Sequence, residues 1–98
     1  MKVYRTDRAK HRLKAIHDYI SKESPAIADK AVRKTVATSR QIAEHPHAGR
    51  KIPEYQRNDC REILPHPYRI IYRIRSHQID VLSVMHDRQL LPGDIEKL

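Results

Sequence analysis

Ala9, Leu13, Ile16 and Ile20 recur at spacings of four, three and four, which places them on one face of an amphipathic helix over about residues 7–22. Thr6 stands at its N-cap and Asp7 in its first turn, where a carboxylate complements the helix dipole. Ser24-Pro25 supplies a second cap with proline at the first helical position. The helix that follows carries Ala28, Val32, Thr35, Ser39 and Ile42 on one stripe. It is predicted to stop near Glu44, because Pro46 and Gly49 follow. So short a link forces the two helices into an antiparallel hairpin.

Period-two patterns flank this hairpin. Residues 2–5 read as a short opening strand with Val3 as its apolar member. Residues 45–59, with two prolines and a glycine, read as a long loop, of a kind that often carries function. Three strands are then predicted at 60–64, 68–75 and 78–86. In the second, Tyr68, Ile70, Tyr72 and Ile74 alternate with Arg69, Ile71, Arg73 and Arg75. The apolar face should meet the helices and leave the other mainly cationic. In the third, Ile79, Val81 and Met85 are assigned to one face and Leu82 and Val84 to the other, so this strand is expected to be central. Beyond Leu91-Pro92-Gly93 only a single turn or a frayed tail is expected. The fold class is therefore α+β: a short N-terminal strand and an antiparallel helical hairpin packed on an antiparallel sheet with a C-terminal three-strand meander. Residues 1–98 form one domain.

Charge changes the picture. Twenty Lys and Arg against twelve Asp and Glu give a net charge of +8, so an acidic partner surface is expected. The excess is +6 in residues 1–49, +4 in 50–75 and −2 in 76–98. The middle segment sets seven cations beside Tyr55, Tyr68 and Tyr72, an arrangement suited to phosphates and stacked bases, or to a solvated sheet face. Cys60 is the only cysteine, which excludes an internal disulfide and a multi-cysteine zinc site and fits a cytoplasmic chain. No apolar run approaches the roughly 18–20 residues that cross a bilayer.

Cleaving RNA through its 2′-hydroxyl needs a proton acceptor, a proton donor and cations for the phosphoryl charge. Arg61, Arg69, Arg73 and Lys51 are candidates for the cations, Glu54 and His86 for proton transfer. His45-x-His47 with His66 and Cys60 makes a poor metal site, since Pro46 interrupts it. Cys60 reads as a semi-buried strand residue and not as a nucleophile. Two glycines, Gly49 and Gly93, cannot build a phosphate-cradling loop. No metal and no cofactor is assigned.

Arg61-Glu62-Ile63, His66-Pro67-Tyr68-Arg69-Ile70-Ile71-Tyr72-Arg73-Ile74 and Ile79-Asp80-Val81-Leu82-Ser83-Val84-Met85-His86-Asp87-Arg88, in this order after Glu44-His45-Pro46 and Gly49-Arg50, resemble the ParE branch of the RelE/ParE toxin superfamily. The resemblance implies the toxin half of a type II toxin–antitoxin module that arrests growth. It also implies a cognate antitoxin with an acidic or amphipathic C-terminal segment, and a toxin–antitoxin hetero-oligomer. ParE-like members are associated with blocking DNA gyrase. RelE-like members cut messenger RNA on the ribosome, which would make Arg61, Arg69, Glu54 and His86 the catalytic set. His86-Asp87-Arg88 matches ParE, while Gln89 replaces a family arginine and no tyrosine follows Tyr72. On this resemblance Arg61, Arg69, Arg73, His86 and Arg88 are expected to contact the target. Leu13, Ile16, Ile20, Arg73 and Arg75 are expected to contact the antitoxin.

Overall fold

A computed structural model describes residues 1–98. Five strands and two helices follow in the order β1 (Lys2–Arg5), α1 (Asp7–Ser21), α2 (Pro25–Glu44), β2 (Arg50–Lys51), β3 (Cys60–Ile63), β4 (Tyr68–Ile74) and β5 (Gln78–His86), and a 3-10 turn spans Ile95–Lys97. Both helix starts are built by the capping residues read from the sequence. Thr6 Oγ1 accepts from the Ala9 amide at 3.1 Å, and the Ser24 side chain accepts from the Ile27 amide at 3.3 Å. Thr6 does a second job: its amide and its hydroxyl both donate to the Val81 carbonyl, each at 3.1 Å, tying the start of α1 to β5.

The sheet order is β1-β5-β4-β3-β2. Strands β3, β4 and β5 form the expected antiparallel meander. The sheet as a whole is mixed, because β1 joins β5 in parallel, Val3 opposite Ile79. The connection between this parallel pair runs through both helices and β2, β3 and β4, the hairpin carrying the chain from β1 to the opposite sheet edge at β2. A short strand, β2, lies inside the predicted loop and pairs with β3, Arg50 opposite Glu62.

Two cores sandwich the sheet. Ala9, Ile42, Ile70, Tyr72, Ile79, Val81 and Val84 fill the space under the helices, with Leu13, Ile16 and Tyr68 packed against them. Ile52, Cys60, Ile71, Met85 and Leu98 form a second core on the opposite face, flanked by Tyr55, Leu82, Leu91 and Ile95. Of the single turn or frayed tail expected at the end, the turn is what forms, at Ile95–Lys97, and it is tied down: Leu98 is buried, Arg8 Nη1 donates to the Leu98 and Glu96 carbonyls, and Tyr55 donates to the Pro92 carbonyl at 2.7 Å. One sequence expectation is corrected on β5. Val84, and not Met85, shares a face with Ile79 and Val81. The cause is a bulge, since Ile71 pairs with Ser83 but Tyr72 pairs with Val81, so Leu82 is an extra residue that reverses the alternation beyond it.

Tyr72 also anchors the long loop. Its hydroxyl donates to the Pro46 carbonyl at 2.7 Å and accepts from the Gly49 amide at 3.0 Å. A Cβ on Gly49 would stand 2.5 Å from that hydroxyl and 2.6 Å from the Glu62 carbonyl oxygen, so only glycine fits there.

The hairpin is clasped at one point by charge. His17 Nε2 lies 2.8 Å from Asp29 Oδ1, and this hydrogen bond to Asp29, helped by Asp18, raises the His17 pKa against partial desolvation. The folded state therefore binds the His17 proton more tightly than the unfolded chain does. The clasp is fully stabilising below the ordinary histidine range and is lost as pH rises through the raised value. The melting temperature should fall between about pH 6 and pH 8 by more in wild type than in Asp29→Asn. Equal pH dependence in thermal melts of the two proteins would remove the clasp from the account.

Candidate functional site

Charged residues cover the sheet face that carries the second core, and they are bound to one another. Glu62 is fully buried, and Arg50 Nε donates to its Oε1 at 2.7 Å while Arg69 Nε donates to its Oε2 at 2.8 Å. Arg69 is 7% exposed, with Glu54 Oε2 at 3.9 Å on its outer side. Asp59 accepts from Arg57 at 2.8 and 2.9 Å and from Arg73 at 3.0 Å. These two guanidiniums, Arg57 first, hold the Asp59 carboxyl down at about 2. Arg75 donates to Asp80 from the neighbouring strand. Arg50, Arg57, Arg69, Arg73 and Arg75 thus have carboxylate partners, brought to them from neighbouring strands and the loop.

The RNA-cleaving set is divided by this geometry. Arg69 and Glu54 lie on the second-core face, while Arg61 faces the helix side, where Nη1 donates to the Gly49 carbonyl at 3.0 Å and Nε is buried without a partner. His86 stands at the far end of β5, its ring edge-on to Tyr68 with centroids 6.0 Å apart. Burial pushes the Cys60 thiol up to about 11, so at neutral pH it is an unreactive thiol. No three His, Cys, Asp or Glu side chains come together as a metal cluster.

His86 opens a tight turn. The Arg88 amide donates to His86 Nδ1 at 3.1 Å, and the His86 amide donates to Gln89 Oε1 at 2.8 Å. A backbone N–H can only donate, so Nδ1 accepts and the neutral ring carries its proton on Nε2. The only lone pair of the neutral imidazole is thereby bound within the turn. The Gln89 side chain supplies the acceptor that closes this turn. Asp87 lies alongside, with Oδ1 3.2 Å from His86 Nδ1 and Oδ2 3.0 Å from His66 Nδ1. Arg88 is left exposed at the tip without a carboxylate partner.

A groove of about 500 Å³ runs beside this turn, lined by Ile16, Tyr19, Ile20, Tyr68, His86 and Gln89 among others. Tyr19 is 77% exposed, and Ile27, in the adjoining depression shared with Tyr19 and Ile20, is 60% exposed. Of the residues expected to contact a partner, Ile16 and Ile20 lie in this groove and Leu13 packs on the helix-side core. Arg73 and Arg75 lie on the other face of the sheet with Asp59 and Asp80. Sequence reasoning missed Tyr19 and Ile27, although both are large apolar residues standing off the helical stripes.

Residues 3–91 match the family described as ParE toxin of type II toxin-antitoxin system, parDE. The chain belongs to the ParE toxin family. A curated relative from Sinorhizobium fredii, Y4kP, provisionally named a toxin, is 36% identical over 89 residues, covering 89% of this chain and 88% of the relative. The solved chromosomal ParDE toxin–antitoxin system of P. aeruginosa superposes with a TM-score of 0.73 at 25% identity, covering 88% of this chain and 95% of that one. The RelBE2 toxin–antitoxin complex of Mycobacterium tuberculosis shares the fold, with a TM-score of 0.56 at 21% identity over 87% of this chain and 95% of that one. The chain is thus a type II toxin of the ParE family, and two-protein toxin–antitoxin assemblies are among its structural neighbours.

The turn of this toxin makes a measurable claim. Removing the imidazole removes the acceptor of the Arg88 amide. In ¹⁵N-resolved NMR spectra the Arg88 amide should exchange with solvent faster in His86→Ala than in wild type. Equal exchange in the two proteins would contradict the bond.

Proposed function

We propose that this toxin arrests growth by binding DNA gyrase rather than by catalysis, with exposed Arg88, held in place by His86, as the principal contact. What carries the reading is the His86 turn. A general base at this position needs a free imidazole lone pair, and here that lone pair is bound by the Arg88 amide. The separation of Arg61, Arg69, Glu54 and His86 over different parts of the sheet supports it further, since phosphoryl chemistry needs its groups within reach of one phosphate. Membership in the ParE family agrees with this choice of target.

Neutralisation by a cognate antitoxin completes the proposal. An amphipathic antitoxin segment would place apolar side chains against Ile16, Tyr19 and Ile20, which line the apolar groove on α1. The same groove ends at His86 and Gln89, so a segment seated there covers the base of the Arg88 turn. Contact with target and contact with antitoxin then exclude one another without any change of shape in the toxin.

Pulse incorporation of labelled thymidine and methionine in the first minutes after induction tests the target. Thymidine should fall first while methionine stays normal, and Arg88→Ala at equal protein level should weaken gyrase inhibition at least about tenfold, or about 1.4 kcal/mol. An early fall in methionine, with codon-position cleavage of messages, would instead establish the ribosome-dependent RNase.

A further inference from the structure

Most arginines of the sheet are tied up in ion pairs. On the sheet, Arg50, Arg57, Arg69, Arg73 and Arg75 are all paired with Glu54, Glu62, Asp59 or Asp80. On α2 the balance is reversed. From Lys30 to Arg40 the exposed residues are Lys30, Arg33, Lys34, Ala37 and Arg40. None of these four cations takes part in an ion pair, and Lys34 Nζ has only the His66 carbonyl at 3.1 Å. The nearest acid toward the helix start, Asp29, is held by His17.

We infer that the outer face of α2 is a sequence-independent contact for the phosphate backbone of duplex DNA. Helical spacing puts the four cations on one side, since Lys30, Arg33 and Lys34 are three and four residues apart and Arg40 follows two turns on from Arg33. Together they span about 15 Å at 1.5 Å per residue. A DNA strand presents a phosphate about every 3.4 Å, so this length faces four or five phosphates. The only other exposed residue of the stripe is alanine, which lets a rod-like polyanion approach closely and offers no apolar anchor. A protein partner gains most of its affinity from buried anchors of that kind, and the apolar groove on α1 supplies them elsewhere. A second copy of the chain would bring its own charge of +8 against this face. The surface is independent of which enzyme the toxin inhibits, and for a target that works on DNA it would raise the local concentration of toxin on the substrate.

Fluorescence anisotropy of a labelled 30-base-pair duplex of arbitrary sequence, titrated with the full chain at several salt concentrations, tests this. Four phosphate contacts predict a log–log salt slope of about −3.6, so affinity should fall roughly 100-fold between 50 and 200 mM salt. The triple variant Lys30→Gln, Arg33→Gln, Arg40→Gln keeps the Lys34 bond and the helix propensity, and should bring the slope to about −0.9. Lys97→Gln, an exposed cation in the C-terminal turn, should leave it unchanged. Circular dichroism of the triple variant should match wild type, because all three side chains are exposed. A wild-type chain that does not bind the duplex, or a triple variant with the wild-type slope, would overturn the inference. Equal binding of poly-glutamate, or of anionic vesicles, with the same loss in the triple variant would overturn it too, assigning the face to an acidic protein or to a membrane.

Discussion

The buried carboxylate of Glu62 is the interaction on which the far side of this sheet depends. It lies between Arg50 on β2 and Arg69 on β4, so one side chain on β3 fastens three strands and the long loop that begins with β2. Removing one partner from such a buried pair costs about 3–5 kcal/mol, because the remaining charge is left without compensation. That is a large part of the about 5–15 kcal/mol available to a small domain. The same arrangement explains why a face so rich in arginine contributes little net charge. Once Asp59 and Asp80 have taken Arg57, Arg73 and Arg75 as well, the cations and carboxylates of this face are close to balanced, and the protein's surplus charge lies elsewhere.

This division of charge organises the functional account. The five arginines paired with carboxylates build the scaffold, whereas Arg88 and the cations of α2 are exposed and unpaired. Arg88 is free because the turn from His86 to Gln89 satisfies its own backbone and holds the residue clear of the sheet. The stripe on α2 is free because its helix turns toward solvent a face without acids between Lys30 and Arg40. The apolar groove lies on α1 next to the His86 turn. The proposed contacts with target, antitoxin and DNA thus occupy different ground, overlapping only at the His86 turn.

Much of the fold was legible because its determinants are local. The caps at Thr6 and Ser24, the proline at the start of α2 and the helical spacing of Ala9, Leu13, Ile16 and Ile20 are contained within a few turns of chain. The three strands of the meander could likewise be read from alternation. What escaped was non-local. The bulge at Leu82 reverses the faces of β5 beyond it, which alternation alone cannot reveal. The parallel seat of β1 depends on where the hairpin returns the chain. The order of the tail depends on a second core whose members come from five separate segments. The site was less legible for the same reason. Residues 50–75 look strongly cationic in sequence, and only strand register shows which carboxylate neutralises which arginine. The turn at His86 was visible as a motif, but its hydrogen-bond directions were not.

The central claim is that the sheet arginines belong to the scaffold and the α2 arginines to solvent. Hydrogen exchange of the arginine Nε–H groups, resolved by ¹⁵N NMR on the folded protein, measures it directly. Arg69 and Arg50 should retain slowly exchanging Nε–H signals, Arg69 the slowest, while Arg33 and Arg40 exchange freely. An Arg69 Nε–H that exchanges as fast as those on α2 would mean that Glu62 does not hold it, and the assignment of scaffold and surface would fail.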